Sequence, residues 1–166
     1  ELVIVCGAAG GNAGAEAKAA FAGLGEIDFT RVAMAPGSSQ GFGRLGRESV
    51  PTFLFPASPS TALVLFEVLV RPLIRLGLGI ADPYRRTVSA RLTSPITSPE
   101  GRRTHLRGRL LREVESGDYL VQPLATGGVH LLATLADANA LITVPEATTD
   151  VGMDERVEVA LLSSRR

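Results

Sequence analysis

Cysteine is all but missing. Cys6 is the single thiol in a chain of 166 residues, so no internal disulfide is available and an intracellular, cytoplasmic protein is the default expectation. Net charge is missing too. The 17 basic and 17 acidic side chains cancel, leaving no global field to draw the chain to nucleic acid or to a membrane surface. No apolar run is long enough to cross a bilayer, which takes roughly 20 predominantly apolar residues. The nearest candidates, Ala62 to Phe66 and Val68 to Val70, are split by Glu67 and stopped by Arg71 and Pro72. The two histidines, His105 and His130, lack Cys, His or carboxylate partners at ligand spacing, which favours a structural or solvent role over metal catalysis. There is no G-x-S-x-G elbow and no internal repeat. A basic region leading into an apolar one, the mark of a secretory leader, is not seen either. The opening "ELVIVCGAAGG" has no initial Met and reads as a buried strand running into a loop, as if the fold were entered partway. Cys6, at the end of that strand and without a basic activator, reads as an inert buried thiol.

What is present divides at about residue 80. The chain is 45% hydrophobic, enough for one substantial core or two small ones. Leu2 to Val5 read as a short parallel strand, and "AEAKAAFAGLG" as a helix closed by Gly25. "IDFTRVAM" returns to strand character, "APGSSQGFG" reads as a loop, and "VPTFLF" as another strand. After the "PASPS" turn comes an apolar helix. Ser58 or Ser60 is its expected cap, Pro59 fits its first turn, and Pro72 should end or kink it. This alternation predicts an α/β layer with a largely parallel sheet and ligand loops at the carboxyl ends of its strands. Those loops are the glycine loop, the Pro36 loop and the Pro56 loop.

Beyond "DPYRR" the pattern turns to alternation. "TVSARL" puts Val88, Ala90 and Leu92 on one face, and "HLRGRLLREV" sets Leu106, Gly108 and Leu110 opposite Arg107 and Arg109. "DYLVQPL", "ALITVPE" and "RVEVALL" read as three more strands, with "HLLATLADAN" a short helix, together a small β-rich domain. From Arg71 to Glu115 ten arginines face four acids, which is either a solvated charged face or an anion-binding strip. The glycine loop "GAAGGNAG" carries four glycines in eight residues but has neither P-loop nor G-x-G-x-x-G spacing. It is either a tight strand-to-helix turn or a place where backbone amides approach an anion.

Several of these stretches share a longer pattern with one family. "LVIVCGAAGGNAGAE" stands where that family has a strand, GGVSVG and an Asp. "LGEIDFTRVAMAPG" matches L-G-E-I-x-F-x-x-V-A-x-x-P-G, and "FPASPSTALVLFEVLVRP" matches L-P-G-N-P-V-S-A-L-V-x-F-E-x-F-V-R-P. "GRRTHLRGRL" and "LATLADANALITVPE" follow in the same order. The chain resembles the carboxy-terminal part of the MoeA family, the molybdopterin molybdenumtransferases, which includes the E domain of gephyrin.

The resemblance implies a three-layer α/β molybdopterin-binding (MogA-like) domain over residues 1–80, incomplete at its amino end. A small β-barrel-like carboxy-terminal domain would then occupy 87–166. It implies molybdenum cofactor biosynthesis, in which molybdate is inserted into adenylylated molybdopterin and AMP leaves. Molybdopterin and molybdate are the substrates, Mg is the cofactor, and a homodimer forms through amino-terminal regions absent from this chain. By the same resemblance the substrate is held by Gly7, Gly10, Gly11, Pro36, Gly37, Ser38, Pro56, Ser58, Thr61 and Arg107, with Glu16 as catalytic carboxylate. The departures are severe. Ala15 stands at the family's loop aspartate, Ala35 and Ser38 at two lysines, Ser39 at a proline, and Val129 at a serine. An alternative on the same fold is a non-catalytic, gephyrin-like scaffold that binds a protein or peptide partner.

Overall fold

The computed structural model describes residues 1–124 and 135–162. They fall into two compact units, the first made of Glu1–Val32 and Pro36–Ile74, the second of Ala33–Ala35 and the chain from Arg75 onward.

In the first unit, strand β1 (Val3–Cys6) leads through the glycine loop into helix α1 (Gly11–Phe21), followed by β2 (Gly25–Arg31). Strand β3 (Met34–Ala35) belongs to the second unit, where it pairs with the strand at Arg103–Thr104. The chain then returns for β4 (Ser39–Leu45) and β5 (Val50–Phe55). The sheet order is β1-β5-β4-β2. Strand β1 is parallel to β5, whereas β4 is antiparallel to both β5 and β2. The sheet is therefore mixed, not largely parallel.

The difference lies in the stretch that reads as a loop, residues 35–43. Its second half is β4, a strand rich in glycine because its neighbours leave no room for a side chain. A Cβ on Gly43 would overlap the carbonyl oxygen of Glu26, and one on Gly41 would lie 3.0 Å from the Leu54 Cβ. Gly41 and Gly43 thus mark close approach within a sheet, which composition alone does not separate from a turn.

Strand β5 is the apolar heart of this unit. Leu54 packs with Ala8, Ala9 and Ala17, backed by Phe21, Ile27 and Phe29. Phe53, on the opposite face, stacks against Phe42 and Phe55 with centroids 4.8 and 6.0 Å away. Among the described residues strand β1 pairs on one side alone, and Val3 and Ile4 are exposed, as is Cys6. The sheet edge thus leaves accessible the thiol that reads as buried.

Helix α2 (Pro59–Leu65) starts as its sequence predicts. The Ser58 hydroxyl accepts from the Thr61 amide at 3.4 Å, and Pro59 occupies the first turn. Pro72 does not end the helix. A π turn over Phe66–Val70 precedes α3 (Arg71–Gly77), with the Arg71 amide donating to the Phe66 carbonyl. Proline at the second position of the new segment has no amide to lose, so the widened turn takes up the ring and the helix continues.

The second unit is a barrel. Strands β6 (Thr87–Leu92), β8 (Arg103–Arg112), β9 (Tyr119–Pro123), β10 (Ala140–Val144) and β12 (Arg156–Leu161) run in the order β10-β12-β6-β9-β8, and β10 also pairs with β8. This closes five strands, the same five that alternation marks in the sequence. Two short strands, β7 (Ile96–Thr97) and β11 (Asp150–Val151), pair with each other. Ala90, Leu92, Val121, Ala140, Ile142, Val144 and Val159 fill the interior, each fully buried. Asn139 closes one corner, accepting from the Leu110 amide at 2.7 Å and donating to its carbonyl at 3.1 Å. Outside, Arg91 reaches Glu113 at 3.2 Å, Asp154 at 3.5 Å and Asp118 at 3.7 Å, tying the β8–β9 turn to the turn before β12. The stretch 125–134, which holds the sequence's Val129, His130 and the start of its short helix, lies outside the described residues.

The tight fit of β4 is testable. Gly43→Ala should lower unfolding stability by about 3 kcal/mol, because the new methyl meets backbone and not a flexible side chain. Gly46→Ala, at φ 73° but facing open space, should cost about 1 kcal/mol. Equal losses in urea unfolding would contradict the packing account.

Candidate functional site

The strand directions decide where the loops go. Because β4 is antiparallel to both its neighbours, β1, β2 and β5 all run the same way and end at one edge of the sheet. The glycine loop, the Pro36–Ser38 turn and the Pro56 loop leave from that edge, so the strand-end clustering read from the sequence survives the change in sheet type.

The loops meet there. Gly7 and Ala8 donate their amides to the Phe55 carbonyl at 2.9 and 3.0 Å, fastening the glycine loop to the start of the Pro56 loop. Those two amides are thereby occupied, so the part of the loop left to receive an anion is its second half, Gly10 to Gly14. Gly10 takes φ 88°, a left-handed value, and a Cβ there would lie 3.9 Å from the Ser39 Cβ. The first-turn amides of α1 lack intrahelical acceptors, as in any helix, and no side chain caps them.

The Pro36 loop is anchored from below. Gly37, at φ 92°, sits so close to Leu65 that a Cβ would lie 2.7 Å from its methyl. Its carbonyl accepts from the buried Gln40 amide group at 2.8 Å. Ser38 gives its carbonyl to the Val32 amide at 2.8 Å. In the Pro56 loop, the Ser58 hydroxyl caps α2 and lies 3.0 Å from that of Ser60, while Thr61 is buried. These side chains are engaged in holding loop shape.

A cavity of about 280 Å³ opens between α1 and the ends of β2 and β4. Gly10, Gly11 and Gly14 form one wall, Thr30, Ser39 and Gln40 another, and Lys18 and Arg31 bring two cations to its rim. Of the residues expected to hold substrate, Gly10 and Gly11 line it; Gly7, Pro36, Gly37, Ser38, Pro56, Ser58 and Thr61 do not. Ala15 lines the cavity, whereas the adjacent Glu16 is exposed on α1 and does not. Lys18 and Arg31 escaped the sequence reading. In the sequence Arg31 falls inside the strand "IDFTRVAM", whereas β2 ends at it, which is what brings it to the cavity. Lys18 carried no signal, since its approach depends on how α1 lies across β2.

Arg107 belongs to the second unit. It lies on β8 opposite Leu141, is 2% exposed, and burial pulls its guanidinium pKa below the ordinary value. His105, two residues earlier, is buried as well. Its Nδ1 lies 3.3 Å from the Thr143 hydroxyl, and burial, helped by the nearby Arg103 charge, lowers its pKa. The wall of the glycine-loop cavity contains no carboxylate, and no group of three or more His, Cys, Asp or Glu is arranged to hold a metal among the described residues. The residues present do not fit a protein-held magnesium ion, which is bound through one or two carboxylates with substrate phosphates.

These observations define a class: an α/β unit with three strand-end loops gathered at one sheet edge, and a closed five-strand barrel. Residues 89–162 match the MoeA C-terminal region (domain IV). The chain is 54% identical over 168 residues to molybdopterin molybdenumtransferase 1 of Mycobacterium tuberculosis, covering 98% of this chain and 39% of that protein. It is 38% identical over 133 residues to molybdopterin molybdenumtransferase 2 of the same organism, over 80% of this chain and 31% of that one. Among solved structures, the molybdopterin biosynthesis MoeA protein from Pyrococcus horikosii is similar with a TM-score of 0.77 and 26% identity, over 98% of this chain and 37% of that one. The chain belongs to the MoeA family and corresponds to its carboxy-terminal part, spanning about a third to two fifths of the length of these curated relatives. No helix among the described residues is long and apolar enough to cross a membrane.

The buried imidazole predicts an acid response. A His held neutral by burial has a folded-state pKa below its unfolded value of 6.5, so the unfolded chain takes up the proton first. Its contribution is fully present above that pH and is lost as pH falls toward the folded-state pKa. His105→Gln should flatten the decline in melting temperature below about pH 6.5. An unchanged decline would assign it to other groups.

Proposed function

We propose that this chain is the part of a molybdopterin molybdenumtransferase that holds the phosphate-bearing end of the pterin, serving molybdate insertion in molybdenum cofactor biosynthesis. The observation carrying this reading is the convergence of three strand-end loops on one sheet edge, with a cavity at the glycine loop that presents two cations and open helix-start amides. Two relatives similar to this chain bear the name molybdopterin molybdenumtransferase.

In the reaction, the anhydride of adenylylated molybdopterin is cleaved, AMP leaves, and molybdate is taken up at the dithiolene. This chain's residues contribute binding and orientation. Lys18 and Arg31 meet phosphate charge, the amides of the first turn of α1 point at it, and Thr30 and Ser39 offer hydroxyls. Glu16, exposed beside the cavity, is a poor candidate for handling a proton at the scissile bond. Ala15, Ala35 and Ser38 bring no charge where the resemblance places an aspartate and two lysines.

Binding is therefore expected to outlast catalysis. The protein should bind molybdopterin or AMP measurably by calorimetry while supporting slow molybdate insertion, read as activity restored to an apo molybdoenzyme. Combining Ala15→Asp, Ala35→Lys and Ser38→Lys should raise turnover by at least tenfold, since each charged contact is worth about 1.5–3 kcal/mol. No pterin or nucleotide binding, together with no insertion after restoration, would overturn the reading.

A further inference from the structure

The cavity that carries the proposed function has an unusual charge balance for a phosphate site served by a metal. A magnesium ion between protein and phosphate needs carboxylate oxygen on the protein side. Here the wall supplies hydroxyls, an amide, glycine backbone and two cations, and the first α1 residue with a side chain in the wall is Ala15. A divalent cation entering such a site would meet two positive side chains and no negative one, a repulsive arrangement at any dielectric. A phosphate entering it would meet the same two charges with the favourable sign.

Both cations are available for that role. Neither Lys18 nor Arg31 takes part in an ion pair among the described residues, and both are exposed at the cavity rim. They come from different elements, Lys18 from α1 and Arg31 from the end of β2, so they approach a bound group from two directions. Lys18 also borders an adjoining cavity of about 340 Å³ lined by Glu26 and Asp28. Of the two, Arg31, with its fork of donors, is the stronger phosphate partner.

We infer that the glycine-loop cavity binds a phosphate monoester directly on Arg31 and Lys18, with no divalent cation. This rests on the functional reading above and adds to it the means by which the phosphate is held. The first-turn amides of α1 complete the contact, and Gly10 and Gly11 keep the approach free of side chains.

The test is calorimetric titration of the protein with AMP, and separately with inorganic phosphate, in EDTA and in excess Mg. The expected Kd for AMP changes by less than about twofold between the two media. Arg31→Ala should weaken binding by about tenfold or more and Lys18→Ala by less, while Arg31→Lys retains part of the affinity and rising salt weakens the native protein in both media. Competition by inorganic phosphate locates the contact on the phosphate and not on the nucleoside. Ala15→Asp serves as the converse, because a carboxylate in the wall should weaken binding in EDTA and make Mg restore it. Loss of AMP binding in EDTA by the native protein would overturn the inference while leaving the pterin reading intact. Metal-free binding indifferent to both alanine substitutions would overturn the assignment of the two cations. Absence of binding to AMP, phosphate and molybdopterin in both media would overturn the inference and the proposed function together.

Discussion

Everything at the candidate site depends on how closely β2, β4 and β5 can approach one another. At Gly41 and Gly43 a side chain would collide with Leu54 or with the backbone of β2, so β4 fits between its neighbours only as a glycine strand. Its antiparallel insertion returns β2 to the direction of β1 and β5. Without that reversal the ends of β2 and β5 would point to opposite edges, and the cavity beside the glycine loop would lose the wall made by Thr30 and Arg31. Glycines that carry no chemistry of their own are what gathers the chemistry in one place.

Much of this was legible in the residues, for identifiable reasons. The barrel strands announce themselves because their inner face is dry and their outer face wet, so Val88, Ala90 and Leu92 alternate with polar partners. The cap at Ser58 followed by Pro59 is a local signal that tertiary context did not override. Glycine-rich β4 was unreadable as a strand, because the property that admits it to the sheet is also that of a turn. Strand β3 escaped for a different reason: two residues paired in another unit leave no periodicity to detect. Cys6 and the exposed Val3 and Ile4 show the limit of hydropathy, which reports what a strand would bury if it had a neighbour on each side.

The site itself was legible at the level of loops and not of side chains. The three loops follow from element order, which a sequence carries. Lys18 and Arg31 become neighbours through the tilt of a helix over a sheet, which it does not carry in readable form. Arg107 illustrates the converse case. A residue singled out by motif similarity lies in the barrel unit with its guanidinium almost wholly withdrawn from solvent, so whatever it does there begins from a desolvated charge.

The π turn before Pro72 has a consequence for the surface that follows it. An α-helix advances about 100° around its axis per residue, so one additional residue in a turn rotates everything downstream by that angle. Leu65 and Val70, five residues apart, are both fully buried, because the widened turn brings them onto one face. The buried stripe has not ended at Phe66 but moved on by one position in the chain. Leu73 and Ile74, three and four places beyond Val70, continue that face and are exposed, so the apolar stripe runs on past the core that covers its first half.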